Sequence, residues 1–229
     1  MAPTAVVIDV LRATTTAAAA LAAGAAGLIP VETVEEARAL ADQLTPRPLL
    51  GGERQGLPIS GFDLGNSPAS YDDRVRDRWI VFTTTNGTRA IHACRECQRV
   101  LLAAFVNLSV VVDRLVGLDR VDIVCAGTGG RIPLEDVLCA GAILDLWTDG
   151  EPDHWQLDDG SLLALDAWQR HARHWTGRTW LVDRLRLGQG GRNLTEIGQE
   201  ADIELAATID AHPVVPEWHW PANRIVRAD

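Results

Sequence analysis

Four acids and three arginines of this chain stand where short apolar runs break into threonine- or glycine-rich turns. Asp9 closes the run Val6–Val10 and is followed by Arg12 and by Thr14, Thr15 and Thr16. Glu53 and Arg54 lie within Gly51-Gly52-Glu53-Arg54-Gln55-Gly56. There the flanking glycines leave a carboxylate able to reach a cation without steric obstruction. Glu135 and Asp136 follow the turn Cys125-Ala126-Gly127-Thr128-Gly129-Gly130-Arg131. In open α/β sheets, ligands collect outside the carboxyl ends of the strands. Carboxylates, guanidinium groups and turn amides gathered there are the parts of a phosphate or metal–phosphate site.

Each group also has a plainer reading. Asp9 and the threonines suit an Asp turn with a threonine N-cap, which leaves Arg12 unexplained. Glu135 and Asp136 suit the first turn of any helix, where the macrodipole favours acids. A nucleophilic Asp9 of the haloacid dehalogenase type needs a second Asp two residues on, where this chain has Leu11. Cys125 and Arg131 have the Cys-x5-Arg spacing of cysteine phosphatases, so a thiolate mechanism is an alternative. The usual flanking His and Ser/Thr are replaced by Val124 and Ile132, and a strand-end Cys commonly serves as a small hydrophobe. Cys94-x-x-Cys97 has no second pair and reads as structural. Gly190-Gly191-Arg192-Asn193 reads equally as an anion-binding turn or as a loop between helices.

The elements that must position these groups follow from periodicity. Val6–Val10, Gly27–Val31, Trp79–Thr83, Val100–Phe105 and the run from Val121 read as strands. Small residues from about Ala17 to Ala23 form a helix able to lie close on a sheet. Thr33-x-x-Glu36 is a capping box for a helix to about Leu44. Leu57–Ser70, rich in Gly, Pro, Ser and Asn, is a long loop of the kind that carries function. Helices are expected from the turn at residues 83–89 to about Cys97, and at Leu108–Leu115. The next runs from Pro133, a favoured first helical residue, to Trp147. Glu151–Gly160 is a polar insert. Helices Leu162–His174 and Thr179–Leu187 come next, then one from the second glycine turn to about Ile209. Val214-Val215-Pro216 and Arg224–Arg227 close the chain as edge strands. Three times, at residues 6–24, 79–97 and 121–147, a strand empties into a Thr- or Gly-rich turn that opens a helix.

The 229 residues suffice for one α/β domain, with sub-lobes at about 1–120 and 121–229. A formal charge of −10 argues against nucleic-acid binding, which needs a basic face. All 21 basic residues are Arg, which excludes a catalytic or P-loop lysine. The four cysteines do not form a secreted disulfide pattern, and no segment reads as a signal peptide or membrane span. A cytoplasmic protein follows, with a small anionic phosphorylated partner and no membrane or nucleic-acid partner.

Taken together, the chain resembles the 2-phosphosulfolactate phosphatase (ComB-like) family over nearly its whole length. The resemblance rests on Val7-Ile8-Asp9-Val10-Leu11-Arg12-Ala13-Thr14-Thr15, Gly51-Gly52-Glu53-Arg54, Leu64-Gly65-Asn66-Ser67-Pro68 and Thr84-Thr85-Asn86-Gly87-Thr88. It continues in Cys125-Ala126-Gly127-Thr128, Gly130-Arg131 with Leu134-Glu135-Asp136-Val137, and Val214-Val215-Pro216. It implies a three-layer α/β/α fold with a mixed, largely parallel sheet and two related βα lobes. It further implies Mg²⁺ and hydrolysis of 2-phosphosulfolactate to sulfolactate and phosphate in coenzyme M biosynthesis.

On that reading Asp9, Glu53 and one of Glu135 or Asp136 hold the metal, and Asp136 orients the attacking water. Arg12, Arg54 and Arg131, with the turns at Thr84–Thr88 and Thr128–Gly130, bind the phosphate and the other acid groups. Thr14, Asn66, Ser67, Thr85, Asn86, Gly87, Thr88, Thr128 and Gly130 are the remaining substrate-binding candidates. Two departures stand out: a short strand that usually precedes the Asp9 strand is absent, and Gly129 replaces a frequent acid. Exposed tryptophans and the absent strand point to a homodimer. A non-catalytic binding protein for such acids is the other class of reading.

Overall fold

The computed structural model describes residues 2–149, 154–172 and 179–228. The polar insert therefore lies partly outside the described residues, as does His174, the expected end of one helix.

The first strand, β1 (Thr4–Ile8), is buried along its length and leads through Asp9 into α1 (Ala13–Ala22). Then come β2 (Gly27–Pro30), α2 (Val34–Gln43), β3 (Leu49–Arg54), β4 (Leu57–Pro58), β5 (Trp79–Thr83) and α3 (Gly87–Ala93). Half of the capping box forms as read, with the Glu36 amide donating to Thr33 Oγ1 at 3.1 Å, while the Glu36 carboxylate accepts from the Glu32 amide at 3.2 Å and not from that of Thr33. The chain continues through β6 (Arg99–Ala103), α4 (Leu108–Asp113), β7 (Val121–Cys125) and α5 (Leu134–Trp147). It ends with α6 (Asp159–Ala172), α7 (Thr179–Leu187), α8 (Gln189–Glu196), α9 (Ala201–Ala206), β8 (Pro216–His219) and β9 (Arg224–Arg227).

All nine described strands form one mixed sheet in the order β4-β3-β5-β2-β9-β8-β6-β1-β7. Two parallel triplets, β3-β5-β2 and β6-β1-β7, are joined by the antiparallel hairpin β8–β9. The last two strands are thus central, not at the edge: β9 pairs with β2, and β8 with β6. Their hairpin supplies the hydrogen bonds that each triplet lacks on its inner side, a long-range pairing that local pattern does not encode. The pairing reverses sense three times between β2 and β6. Sheet twist of about 20–25° per strand, summed from β3 to β1, turns the strand direction back by roughly 120–150°. The carboxyl ends of β1 and β3 are thereby able to face one cleft.

Helices cover both faces of the sheet. α1 is buried on nearly every side, because its alanines let it lie close against Ala5 and Val7 of β1 and against Leu28, Ile80 and Phe82. On the opposite face α4 and α5 pack against Val6 and Ile8, and α2 covers Ile29, Leu50 and Val81. α6 packs closely on α5 at Gly141, where a Cβ would lie 2.1 Å from the Ala164 carbonyl oxygen. The expected helix from the second glycine turn to Ile209 breaks in two at Gly198, whose φ of 71° no helix accepts. Among the described residues no helix is long and apolar enough to cross a membrane.

Candidate active site

Asp9 leaves β1 buried, and two local contacts fix it. The Thr14 hydroxyl accepts from the Asp9 amide at 3.0 Å and donates to the Asp9 carbonyl at 2.8 Å. The Ala13 amide donates to Asp9 Oδ1 at 3.2 Å, so the acid caps the start of α1 while Oδ2 stays free of that contact. Gly87 lies against it: a Cβ there would come within 2.7 Å of Asp9 Oδ2 and 2.4 Å of the Ala13 Cβ. Thr88, by contrast, is used locally; its hydroxyl donates to the Thr84 carbonyl at 2.9 Å and holds the turn after β5.

Glu53, at the end of β3, is also buried. Its two oxygens accept from the Gly56 amide and the Thr85 amide, each at 2.7 Å. Gly52 makes this possible, since at φ 138° it lies where a Cβ would be 1.9 Å from the Thr83 carbonyl oxygen. The Glu53 carboxylate thereby joins the β3–β4 turn to the turn after β5.

Asp9 and Glu53 meet on the wall of a cleft of about 400 Å³. Arg12, Asn66, Thr85, Asn86, Thr128 and Gly129 line it as well. Glu135 and Asp136 lie behind this wall, both buried, and are not among the lining residues. Asp136 Oδ1 accepts from the Val10 amide at 2.9 Å, which locks α5 to the Asp9 turn. Glu135 Oε1 accepts from the Gly190 amide at 3.0 Å, so the second glycine turn receives an internal carboxylate.

Crowding of acids away from water raises their pKa values. Asp9 is pushed up to about 7, first by burial and then by the charges of Glu53 and Glu135, against the favourable Ala13 amide and Arg12. Asp136 is raised well above the usual carboxylate range by burial and by Asp9. Glu135 is raised by burial, opposed by the Gly190 amide and Arg192. Burial and the neighbouring Asp136 push the Cys125 thiol up to about 12, so it is uncharged at neutral pH and is not a ready nucleophile.

The arginines separate. Arg12 is buried and tied to Asp202. Arg54 donates to the Glu53 and Glu32 carbonyls and to the Thr83 hydroxyl, so it braces the strand ends and does not line the cleft. Arg131 is exposed on the Thr128–Arg131 turn, beside the cleft mouth but not on its wall. Gly130 shares that turn. Ser67 donates to Asp202 at 2.6 Å. Asn66 reaches the cleft, with its Oδ1 buried and without a hydrogen-bond partner.

The far wall comes from Asn193, at the end of the second glycine-rich turn, and from Leu194, Glu196 and Ile197 of α8 and its end, which local motifs did not mark. Asp202 and Gln199, which hold Arg12, were equally unmarked. The glycine turn at residues 188–191 was the one available signal that this part of the chain returns to the site.

A divalent cation is testable against this donor set. Among the described residues no three His, Cys, Asp or Glu side chains are grouped to hold a metal on their own. The donors on the cleft wall are nonetheless all oxygen, and Asp9 is destabilised as an anion. That suits Mg²⁺, which keeps several waters and takes one or two carboxylates.

An α/β protein with an acid-lined cleft at the carboxyl ends of its strands is thus defined. A family model described as 2-phosphosulpholactate phosphatase matches residues 1–220. Similar curated relatives are each named "Probable 2-phosphosulfolactate phosphatase". That of Pseudothermotoga lettingae is 40% identical over 211 residues, which cover 92% of this chain and 87% of the relative. That of Symbiobacterium thermophilum is 42% identical over 215 residues, covering 93% and 89%. That of Deinococcus radiodurans is 42% identical over 217 residues, covering 93% and 86%. The chain belongs to the 2-phosphosulpholactate phosphatase family, whose named activity is that of a phosphoric monoester hydrolase.

Proposed function

We propose that this protein hydrolyses 2-phosphosulfolactate to sulfolactate and inorganic phosphate with Mg²⁺, as a cytoplasmic step of coenzyme M biosynthesis. The observation that supports it most is the meeting of Asp9 and Glu53, from separate strands, on one cleft that the Thr85–Asn86 and Thr128–Gly129 turns also reach. The names of the relatives supply the substrate.

Asp9 and Glu53 would hold the cation from the cleft wall, with Glu135 or Asp136 behind them. When bound, Mg²⁺ supplies positive charge at the phosphoryl oxygens and lowers the pKa of a coordinated water. The chain's own groups do the rest by position and charge, which is most of what phosphoryl transfer requires. Asp9, whose backbone the Thr14 hydroxyl latches and whose Oδ2 has room only because residue 87 is glycine, takes the proton of the attacking water on Oδ2. Glu53 and Glu135 keep Asp9 basic enough to do so, and Asp136, which accepts from the Val10 amide, fixes the turn that carries Asp9, a role behind the cleft rather than on the water. The turns after β5 and β7 present polar groups to the oxyanion. Leu11, Leu194 and Ile197 limit the water that enters.

Phosphate release from 2-phosphosulfolactate is the test. Activity is expected to vanish with EDTA and to return with Mg²⁺, and Asp9→Asn to lower kcat by about 10²–10⁴-fold. Activity that survives chelation and dies on thiol alkylation would transfer the reaction to Cys125.

A further inference from the structure

Arg12 is the one guanidinium among the described lining residues of the cleft, and its side chain is 2% exposed. Its Nη1 donates to Asp202 Oδ2 at 2.6 Å and also to Gln199 Oε1, and its Nη2 donates to the Gly56 carbonyl at 2.7 Å. Asp202 is buried too, and its second oxygen accepts from the Ser67 hydroxyl at 2.6 Å. Three contacts hold this long side chain in one orientation. Of the five N–H groups of a guanidinium, those contacts use three. One on Nε and one on Nη2 have no acceptor among the described residues. Nε and Nη2 form one edge of the planar group, and such an edge meets two oxygens of an anion at once.

The geometry points to Asp202 as a positioning residue: it holds Arg12 so that this free edge receives the acid group that stays on the product, a carboxylate or a sulfonate. The inference rests on the phosphomonoester reading and says which group of the substrate goes where. Asp9 and Glu53 repel a phosphoryl dianion unless a cation lies between them, so the phosphoryl group belongs on their side. Arg12, already neutralised by Asp202, contributes direction more than net charge. That suits a group of single charge. Nothing in the local sequence around Asp202 marks it, because the contact spans the chain from its first helix to its last.

Selectivity tests this. Two esters are compared with Mg²⁺ present: 2-phosphosulfolactate, and glycerol 2-phosphate, which has hydroxyls in place of both acid groups. Asp202→Asn and Gln199→Ala are expected to lower the ratio of kcat/KM for the first ester over the second by about tenfold or more, mostly through KM. Arg12→Lys keeps the charge but not the edge, and is expected to lose the same selectivity. Equal losses on both esters would reduce Asp202 to a structural role and overturn the inference. If Asp202→Asn does not fold, Gln199→Ala and Ser67→Ala carry the comparison.

Calorimetric binding of sulfolactate and of lactate separates this inference from the enzymatic reading. Should the wild type release no phosphate from either ester, that reading falls. Sulfolactate bound about tenfold more weakly by Gln199→Ala would still sustain the Arg12 edge, and equal binding would refute it. A comparable loss for lactate assigns the carboxylate to the edge, and a loss confined to sulfolactate assigns the sulfonate.

Discussion

Two glycine-rich turns reach the cleft, one between β7 and α5 and the other where α7 passes into α8. Each brings several glycines and an arginine to the start of a helix. In the first, Gly129 and Gly130 take φ of 58° and 76°, and a Cβ on either would meet no atom within 4 Å. In the second, a Cβ on Gly188 or Gly190 would fall 2.2 or 2.0 Å from a Glu135 carboxylate oxygen. The first turn is open to a ligand; the second is filled by the protein's own acid. Glycine content therefore gives a turn the capacity to receive an anion, and packing decides whether that anion comes from the chain. The filled turn anchors α8, and with it the wall formed by Leu194 and Ile197.

The sharpest way to break this contrast is Gly191→Ala. In a helix interior alanine normally stabilises by about 1 kcal/mol over glycine. Here a Cβ would lie 2.0 Å from the Leu185 carbonyl oxygen and 2.7 Å from the Arg186 Cα, both backbone atoms that cannot swing away. The sign is expected to reverse, with a loss of about 3 kcal/mol in urea unfolding. A gain in stability would show that α8 does not lie this close on the end of α7.

The acid in the filled turn offers the next effect. Glu135→Ala leaves the Gly190 amide buried without its acceptor and is expected to cost about 2 kcal/mol. The same crowding makes stability depend on pH. Asp9 rises from 3.8 to about 7 in the folded protein, so between those values the native state binds a proton that the unfolded chain has lost. Stability then falls as pH rises from about 4 to 7, by about 2 kcal/mol once the proton is shared among neighbouring acids. Mg²⁺ should restore more at pH 8 than at pH 5. Urea midpoints at both pH values, with and without the ion, check the direction; stability that climbs with pH would contradict it.

How far the sequence foretold this follows the range of the contacts. The strand at Val6, the N-cap at Thr33 and the helix ending at Trp147 were legible because periodicity and caps are local. Asp9 and Glu53 were legible as partners because each closes a strand beside small residues. The central placement of β8 and β9 was not, since short apolar runs do not say which strands they will join. Nor was Asp202, an ordinary acid on a helix until the fold sets it beside Arg12. Arg131 carried a loop signal that composition exaggerated: the turn forms, and the side chain points to solvent from the rim.

The smallest expected effect completes the comparison. Gly129→Ala places a methyl group in open space, so its cost is that of a positive φ alone, about 1 kcal/mol. Stability measured without ligand should show that modest loss and nothing more. With saturating inorganic phosphate and Mg²⁺ the loss should persist unchanged if the turn merely borders the cleft. A larger loss with ligand would mean that the turn closes on the anion and that the methyl group then meets something. The open turn would in that case differ from the filled one only in when it is filled, with Arg131 carried inward from the rim as it closes.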